Sequence, residues 1–463
     1  MDYVPPRLAL LEPIDYDQAM AETKLTVIGG GLAGCEAAWR LARANVKVDL
    51  FEMKPGKLSP AHTSPLLAEL VCSNSFRSND SHSAVGLLKE EMRRLDSLIM
   101  AAAEETKIPA GKALAVDREK FSAIITARIE ALDQVRVIRE EVGYIEPDRL
   151  TIVAAGPLAS ESLSASLAAL VGSEHLHFYD AISPIVTTDS IDMNKAFVAS
   201  RYDDTGGDYI NCPLTKDEYD RFLQELREAD RVTPRPFEKP RYHEGCLPIE
   251  VMAARGPLTL TFGPMKPVGL VDPRTGRRPY AVVQLRRENK AGTLHNLVGF
   301  QTRLKWPEQD RVFRLIPGLE KAEFVRFGSV HRNTFINSPR HLNAHLQLKR
   351  HPKIFLAGQL TGVEGYVESA ATGILAGENA ARLAKGLPLV TPPPTTALGA
   401  LITHITDKTP RDFQPMNVNF GLFPPAPAGV RKKDRKAYYS KRALKDLAAW
   451  LEKIERPIKK MVK

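Results

Sequence analysis

A glycine-rich turn between an apolar strand and a helix is the feature that most constrains the fold of this chain. The strand is predicted at Leu25–Ile28, and the helix is predicted to run from the turn to about Ala44. The spacing G-x-G-x-x-G permits a tight bend, the close approach of a pyrophosphate and close packing of the helix on the strand. It therefore predicts a Rossmann-like unit that binds a dinucleotide. The spacing is formed by Gly29, Gly31 and Gly34, with Gly30 inside it.

An acidic residue closes the second strand of this unit. That strand is predicted at Val46–Glu52, and the carboxylate of Glu52 can accept a hydrogen bond from a ribose hydroxyl. The preceding helix offers unpaired N–H groups at its N-terminus to the phosphates. NAD, FAD and S-adenosylmethionine can all sit over such a turn, so this unit alone leaves the cofactor open.

A second strand-and-helix unit, far downstream, favours FAD. A strand is predicted at Ile354–Ala357, it ends at Gly358, and a helix rich in small residues follows from about Tyr366. In many two-part FAD domains, a late strand and a helix N-terminus close over the flavin in this way. The alternative is a glycine-rich helix that only packs closely on a sheet.

Two separated halves of one nucleotide-binding domain require an insertion between them. A chain of 463 residues is long enough for such an arrangement. We predict an α/β fold with a Rossmann-like FAD-binding domain built from two chain segments and an inserted α+β domain. The inserted region contains three runs typical of strands, LTLTFG, YAVVQLR and NLVGFQT. The predicted divisions are an N-terminal extension (1–23), the FAD-binding domain (24–190 and 331–430), an inserted domain that faces the substrate or RNA (191–330) and a basic helical tail (431–463).

The formal charge of +9 is concentrated in the C-terminal tail. From Arg431 to Lys463 there are thirteen Lys and Arg against four Asp and Glu, so the rest of the chain is close to neutral. Part of the tail is predicted to be an amphipathic helix that is docked on its own protein. A contact with a polyanion is the competing interpretation, because a local basic patch can hold phosphate groups. The apolar stripe of this helix is Leu444, Leu447, Leu451 and Ile454.

The cysteines and the N-terminus indicate a protein of the reducing cytoplasm. Four cysteines are too few and too scattered for a disulfide scaffold, and none has the spacing of a metal site. No apolar run approaches the roughly 20 residues that cross a bilayer. The N-terminus has no basic leader. We therefore expect a cytoplasmic protein without a metal ion.

Two of the cysteines are better placed for chemistry than the others. Cys35 in the first helix and Cys212 before a proline are expected to be structural. Cys72 lies among small polar residues, and Cys246 follows a glycine and precedes Leu247 and a proline. A basic neighbour would lower a thiol pKa from about 8.5 and increase the reactive thiolate fraction. From the residues alone, functional and structural roles stay open for both.

The runs that contain these residues resemble a known family, the folate- and FAD-dependent tRNA (uracil-5-)-methyltransferases. The similarity extends from about Lys24 to Phe423. The N-terminal extension and the basic tail look like departures from the family, so we expect neither to have a family role. Among the runs that carry the resemblance are VIGGGLAGCEAA, AELVCSNSF, PAGKALAVDREKF, EGCLPIEVMAARG, YAVVQLRREN, HRNTFINSP and AGQLTGVEGYVESAATG.

The resemblance implies an enzyme that forms 5-methyluridine at position 54 in the T loop of tRNA. The one-carbon unit would come from 5,10-methylenetetrahydrofolate, FAD would be bound, and NADH or NADPH would supply electrons. Cys72 and Cys246 match the two cysteines that the family uses. A thiolate is suited to reversible addition at C6 of uracil, and a base must then remove the C5 proton. We assign the C6 attack to Cys246 and place Cys72 beside flavin N5 as base or methylene-capping thiol, although the two roles could be exchanged.

Further site residues follow from the same resemblance. Gly358, Gly362 and Gly365 are expected at the flavin end of the site, and His331 is a candidate to stack on the pterin. A structural histidine is the alternative for His331. Asp117 and Arg118 are also expected in the cofactor domain, where Asp117 could instead be a plain helix N-cap.

Four other functions compete with this one. The first is the same chemistry on a ribosomal RNA uridine. The second is the group of larger FAD-dependent modifiers of tRNA wobble uridines, which require a partner GTPase and lack the LVCSNSF and EGCLPIE pair. A small-molecule FAD oxidoreductase with Cys72 as a redox thiol is the third, and a non-catalytic RNA-binding flavoprotein is the fourth. The sequence does not indicate an oligomeric state.

Overall fold

The computed structural model describes residues 24–59, 61–172, 175–181, 183–201, 207–232, 247–289, 291–328, 330–408, 413 and 415–461, with the backbone alone at 175–181, 330–334 and 455–461. The N-terminal extension therefore lies outside the described residues. In chain order the strands are β1 (Leu25–Ile28), β2 (Val48–Phe51), β3 (Ser75–Ser78), β4 (Lys107–Ile108), β5 (Ala113–Val116), β6 (Val135–Ile138), β7 (Thr151–Val153), β8 (His175–Ala181), β9 (Ile185–Thr187), β10 (Phe197–Ala199), β11 (Tyr209–Leu214), β12 (Ala281–Arg287), β13 (Leu294–Leu297), β14 (Phe324–Arg326), β15 (Val330–Ile336), β16 (Gln347–Leu348) and β17 (His351–Leu356).

The helices are distributed over both halves of the chain. They are α1 (Leu32–Arg43), α2 (Ala84–Arg94), α3 (Leu98–Glu105), α4 (Arg118–Glu130), α5 (Glu161–Val171), α6 (Lys216–Glu228), α7 (Ile249–Ala254), α8 (Thr259–Phe262), α9 (Trp306–Phe313), α10 (Ser338–His341), α11 (Tyr366–Ala384), α12 (Ala397–Thr406) and α13 (Arg435–Met461). Among the described residues, no helix is both long enough and apolar enough to cross a bilayer.

The central sheet of the first domain takes strands from both segments of the chain. Its order is β16-β17-β7-β1-β2-β6, and β17, β7, β1, β2 and β6 are parallel. Strand β1 is buried throughout, as expected for a parallel sheet that is covered on both faces. Ile354 of β17 lies opposite Thr151 of β7, so the late segment completes the early sheet. The predicted Rossmann-like domain of two segments is confirmed.

Helices from the two segments pack closely on each other. A β-carbon at Gly373 in α11 would lie 2.2 Å from the carbonyl oxygen of Ala33 in α1. One at Gly377 would lie 2.9 Å from the carbonyl oxygen of Ala37. The small residues of α11 therefore allow the backbones of α1 and α11 to approach, which fixes the late segment against the nucleotide-binding turn.

The inserted region forms an antiparallel sheet of order β10-β11-β12-β13-β9-β14. Strands β8 and β15 pair with each other and connect this region to the first domain. Strand β9 belongs to the inserted sheet, so the sheet begins before residue 191, the predicted start of the insertion. Helices α6 and α9 cover the sheet around an aromatic core of Tyr219, Phe222, Phe300 and Phe313.

One strand prediction in the inserted region is wrong. LTLTFG is one of the three runs typical of strands, and its apolar residues alternate with threonines, but it forms the short helix α8. Leu260 is buried, whereas Leu258 is 50% exposed and Phe262 is 81% exposed. The apolar residues of this run therefore do not share one buried face. YAVVQLR does form β12, and NLVGFQT is a strand only up to Leu297.

The basic tail is docked on the first domain through α13. Leu447 and Ile454 of the predicted stripe are buried in the core, and Leu444 and Leu451 pack against it half-buried. The guanidinium of Arg382 donates a hydrogen bond of 2.8 Å to the carbonyl oxygen of Ile454. The apolar face is thus used within the protein, and the lysines of the opposite face stay exposed.

A buried carboxylate joins α2 to α12 and makes the stability of the fold depend on pH. Glu91 accepts hydrogen bonds from the backbone N–H groups of Ala397 (2.7 Å) and Leu398 (2.9 Å). Burial raises the pKa of Glu91 from 4.5 to about 7. Between these pH values the folded protein binds the proton more tightly than the unfolded chain, so the free energy of unfolding falls as the pH rises.

Replacing Glu91 by glutamine is expected to remove this part of the pH dependence. The wild type should lose up to about 3 kcal/mol of unfolding free energy between pH 4.5 and 7 through Glu91, and the variant should not. Urea denaturation at both pH values measures the difference. Glu90→Gln, on the same helix but half-exposed, is the matched control. An equal pH dependence of wild type and Glu91→Gln would contradict the prediction.

Candidate active site

A cleft with an empty volume of about 1030 Å³ lies at the carboxyl ends of the parallel strands. Ligands of open α/β sheets bind at this edge. Both chain segments contribute to its walls, since Gly29 and Gly31 line it from the early segment and Gly358 and Gln359 from the late one. The cleft therefore requires the two-segment sheet and lies where the glycine-rich turn meets the late strand.

The glycine-rich turn is tight on one side and open on the other. A β-carbon at Gly34 would lie 1.8 Å from the carbonyl oxygen of Gly29, so the helix could not approach the strand with any larger residue. At Gly31, by contrast, an added β-carbon would meet no atom within 4 Å. The turn thus packs against the sheet at Gly34 and presents space for a ligand at Gly31.

The end of β2 supports this turn through Glu52. Its carboxylate accepts hydrogen bonds from the backbone N–H groups of Gly30 (2.9 Å) and Lys54 (3.0 Å). Glu52 lines the cleft at the position of the ribose in dinucleotide-binding folds. The N-terminus of α1 has no side-chain cap, and Gly31, Leu32 and Ala33 line the cleft. Backbone N–H groups are therefore directed at the place of the pyrophosphate, and these residues fit a dinucleotide such as FAD.

The glycines of the late segment have different surroundings. Gly358 lines the cleft, and its φ of +75° suits the turn that follows β17. A β-carbon at Gly362 would lie 2.4 Å from the ring of Phe413, and one at Gly365 would lie 2.6 Å from the carboxylate of Glu368. The structure thus places Gly358 against the cleft and packs the other two in the following turn, so their contact with a cofactor stays a prediction.

Cys72 follows the cleft-lining residue Val71, and its backbone is held by a tyrosine. The phenol oxygen of Tyr366 accepts hydrogen bonds from the N–H groups of Cys72 (2.8 Å) and Ser73 (3.2 Å). Tyr366 and Val71, which precedes Cys72, both line the cleft. Burial raises the pKa of Tyr366, so its phenol stays protonated. Cys72 is therefore fixed at the edge of the dinucleotide site.

Two arginines hold the carbonyl groups of the same loop. Arg118 donates to the carbonyl oxygens of Leu70 (2.6 Å) and Cys72 (3.5 Å). Arg326, from the inserted domain, donates to the carbonyl oxygen of Val71 (3.3 Å). Successive peptide groups around the thiol are thus fixed by side chains from two domains.

The inserted domain contacts the rest of this loop as well. Arg286 in β12 donates to the hydroxyl of Ser73 (2.7 Å) and to the side-chain oxygen of Asn74 (3.0 Å). Glu288 accepts a hydrogen bond from Arg118 (2.5 Å) across the same boundary. The loop with Cys72 therefore lies in the interface between the two domains.

Comparisons with known proteins assign the chain to a family. It is 58% identical to the methylenetetrahydrofolate--tRNA-(uracil-5-)-methyltransferase TrmFO of Citrifermentans bemidjiense, over 93% of this chain and 99% of that protein. It is 60% identical to the protein of the same name from Geotalea uraniireducens, with the same coverage. A family model described as GIDA, glucose inhibited division protein A, matches residues 24–388. The chain belongs to the GIDA family, among the TrmFO proteins.

The TrmFO alignments also correct one prediction. The part of this chain that they leave uncovered, given 93% coverage, is shorter than the N-terminal extension and the basic tail together. The similarity to TrmFO proteins therefore extends into at least part of these segments, which the sequence alone indicated as departures.

A solved structure agrees with the fold. GidA of Aquifex aeolicus, in its form II crystal, has a TM-score of 0.68 and 18% sequence identity, over 95% of this chain and 77% of that chain. At this identity the likeness shows the fold alone.

The two cysteines that were expected to be structural are buried in this TrmFO protein. Cys35 donates to the carbonyl oxygen of Gly30 at 3.3 Å, and burial raises the pKa of its thiol. Burial also raises the pKa of Cys212 in β11 to about 12. Both thiols are thus kept protonated, and neither lines the cleft.

Two predicted TrmFO site residues cannot be placed by their side chains. Cys246 lies outside the described residues. His331 lies in β15 opposite Asp180, and its side chain is outside the described part. Their roles stay predictions.

The helix start at Asp117 has both an expected and an unexpected role in this TrmFO protein. The Asp117 side chain accepts from the N–H group of Lys120 (3.2 Å), which is the plain N-cap alternative. Arg118 instead reaches the Cys72 loop.

Sequence reasoning missed Tyr366, Arg286 and Arg326 as site residues. Tyr366 could have been found, because it is the first residue of the predicted late helix.

Proposed function

We propose that this protein methylates C5 of uridine 54 in the T loop of tRNA. The donor is 5,10-methylenetetrahydrofolate, FAD is the bound cofactor, and NADH or NADPH is the reductant. The observation that carries the proposal is a cysteine loop, held from two domains, that borders a dinucleotide cleft through Val71 in a chain of this family. The relatives' printed name supplies the donor, the RNA and the C5 position on uracil.

The surroundings of Cys72 suit thiolate chemistry. A negatively charged Cys72 sulfur is among the groups that favour the charged forms of Arg118, Arg286 and Arg326. The same attraction acts on the sulfur, and thiolates are the reactive form of cysteine. This environment supports a reactive role for Cys72, whereas Cys35 and Cys212 have no comparable setting.

The chemistry divides between two thiols. One thiolate adds to C6 of uracil, which makes C5 nucleophilic, and a base removes the C5 proton after the carbon has been transferred. We assign the attack to Cys246 and the second role to Cys72, as base or as the thiol that caps the methylene. Bound FAD would supply electrons and carry the one-carbon unit from the folate to the base.

Each part of the cleft has a proposed ligand group. Glu52 would hold the ribose of FAD, the N-terminus of α1 its pyrophosphate, and Gly358 and Tyr366 its flavin end. His331 is the candidate to stack on the pterin of the folate. The assignments for FAD follow from the lining of the cleft and from the order of the groups in a dinucleotide, whereas that of His331 follows from the family resemblance alone.

The decisive experiment follows labelled carbon from 5,10-methylenetetrahydrofolate into an unmodified tRNA transcript, with FAD and NADPH present. We expect label in 5-methyluridine of the T loop. A transcript with cytidine at position 54 is the matched control and should stay unlabelled. Label in ribosomal RNA but not in tRNA would keep the chemistry and change the target. NADPH oxidation without label in either RNA would replace the proposal by a small-molecule oxidoreductase.

A further inference from the structure

The segment between α7 and β12 combines exposed apolar side chains with an excess of positive charge. Leu258 is 50% exposed and Phe262 is 81% exposed. They lie four residues apart at the two ends of α8, a spacing that places side chains on one face of a helix. Residues 253–280 contain five Lys and Arg and a single acidic residue, Asp272. Because residues 1–430 are close to neutral as a whole, this is a local concentration of positive charge.

Most of this charge is not neutralised within the protein. Asp272 is buried, and its carboxylate is paired with Arg274 at 2.7 Å. Arg277 and Arg278 are exposed, and Lys266 is half-buried. In the part of the chain that the structure describes, the side chains of these three residues have no ion pair and no hydrogen bond. Their charges are therefore available to an anionic partner.

The apolar and the charged parts of the segment meet at the start of β12. The phenol of Tyr219 donates to the carbonyl oxygen of Pro257 (2.6 Å), just before α8, and its ring packs against Tyr280 (5.3 Å between centroids). The N–H group of Val282 in β12 donates to the carbonyl oxygen of Met265 (3.0 Å), just after α8. Both ends of α8 are thus tied to the residues that follow the charged turn. We call this surface the α8 patch, and it consists of Leu258, Phe262, Lys266, Arg277 and Arg278.

Two elements connect the α8 patch with the cysteines. Strand β12 begins beside the patch, and its Arg286 donates to the hydroxyl of Ser73 in the Cys72 loop (2.7 Å). The distance from the start of the strand to Arg286 is about 17 Å at 3.4 Å per residue. Helix α7 begins three residues after Cys246 in the sequence and leads into α8. A substrate much larger than one nucleotide can therefore contact the patch and the Cys72 loop at the same time.

We propose that the α8 patch binds the RNA substrate, with Phe262 stacked on an unpaired base and Arg277 and Arg278 in contact with phosphate groups. The inference rests on the proposed function. Proteins hold unpaired nucleotides by this combination of aromatic rings and cations. A second copy of the chain is a poorer occupant, because a two-fold contact would bring the same positive charges together.

Replacing Phe262 by alanine tests the stacking. We expect the FAD-loaded variant to bind an unmodified T-arm hairpin roughly 10-fold more weakly than the wild type, since one stacked base is lost. Its affinity for the same stem as a duplex without a loop should not change. The urea midpoint should also stay the same, because the ring is mostly exposed. Tyr144→Ala, which removes an aromatic side chain that is 67% exposed in the first domain, is the matched control.

The double substitution Arg277→Gln and Arg278→Gln tests the phosphate contacts. It should reduce the magnitude of the slope of log affinity against log salt by about 1.4–1.8, for the hairpin and the duplex alike. Arg221→Gln with Arg350→Gln changes the net charge equally at exposed positions outside the patch and should leave the slope unchanged.

Wild-type hairpin affinity in Phe262→Ala and in the double variant would overturn the inference, and so would an equal loss for hairpin and duplex in Phe262→Ala. A sedimentation coefficient that falls in Phe262→Ala, with RNA binding unchanged, would assign the patch to a second copy of the chain instead. Binding is measured without turnover. A wild type that binds the hairpin through the patch but does not methylate it would therefore contradict the proposed function and leave the patch as an RNA-binding surface.

Discussion

Replacing Cys72 by alanine is expected to lower the rate of tRNA methylation by roughly 10³-fold or more while FAD stays bound. The backbone of the loop is held through main-chain groups by Tyr366, Arg118 and Arg326, so loss of the sulfur leaves the loop in place. The bound flavin is measured by its absorbance after gel filtration, and methylation by label incorporation. Cys212→Ala, which removes a buried thiol of the inserted sheet that does not line the cleft, is the control and should stay active.

Cys246→Ala is expected to lose methylation to a similar extent, and trapping separates the two thiols. A 5-fluorouridine in the T loop has no C5 proton to lose, so the enzyme–RNA adduct persists once the thiolate has added to C6 and C5 has accepted the one-carbon unit. We expect Cys72→Ala to form this adduct and Cys246→Ala not to form it. The opposite result would exchange the two roles, and full activity of either variant would remove that cysteine from the mechanism.

Neutralising the exposed lysines of the basic tail should weaken tRNA binding by roughly 10- to 100-fold and reduce its salt dependence. Each lost phosphate contact reduces the magnitude of the slope of log affinity against log salt by about 0.7–0.9, the values for single strands and for B-form DNA, so four substitutions can reduce it by about 3–4. The first half of α13 contacts the loop between β3 and α2, since Ser440 donates to the carbonyl oxygen of Ser81. The substitutions are to glutamine at Lys432, Lys433, Lys436 and Lys441.

Substitution is preferred to deletion of the tail because α13 is part of the core. Removing residues 431–463 would also remove Ala443, Leu447 and Trp450 from the buried cluster, and lost binding could then reflect lost folding. Affinity is measured from 50 to 200 mM salt. A variant with four exposed lysines neutralised at scattered positions is the control; binding that is equally weakened there would contradict a role for the tail. The control positions are Lys47, Lys120, Lys321 and Lys353.

The sequence predicted those features whose signals are local. The glycine turn, Glu52 and the late strand each depend on residues that are neighbours along the chain, and the sheet places them as expected. The amphipathic stripe of the tail likewise required only helical spacing. The strand prediction for LTLTFG was wrong because alternating apolar residues indicate a strand only when one face of it packs on a core. The neighbouring residues in the sequence do not indicate whether such a core is present.

The supports of Cys72 could not be predicted in this way. Tyr366 follows Cys72 by 294 residues, and Arg286 follows Ser73 by 213. Their contacts depend on how the inserted domain is seated against the first, which periodicity and spacing do not encode. Arg118 was noticed, but its role in the Cys72 loop required the position of Glu288 in the other domain.

The pairing of β17 with β7 also sets an order of folding during synthesis. The nucleotide sheet lacks its late strand until residues 351–356 have left the ribosome, whereas the inserted sheet is complete once Arg326 has emerged. Domains generally fold as units while the chain is extended. The interrupted domain is therefore the last to have all its strands available, and a cleft that takes residues from both segments cannot form before the inserted sheet has been synthesised.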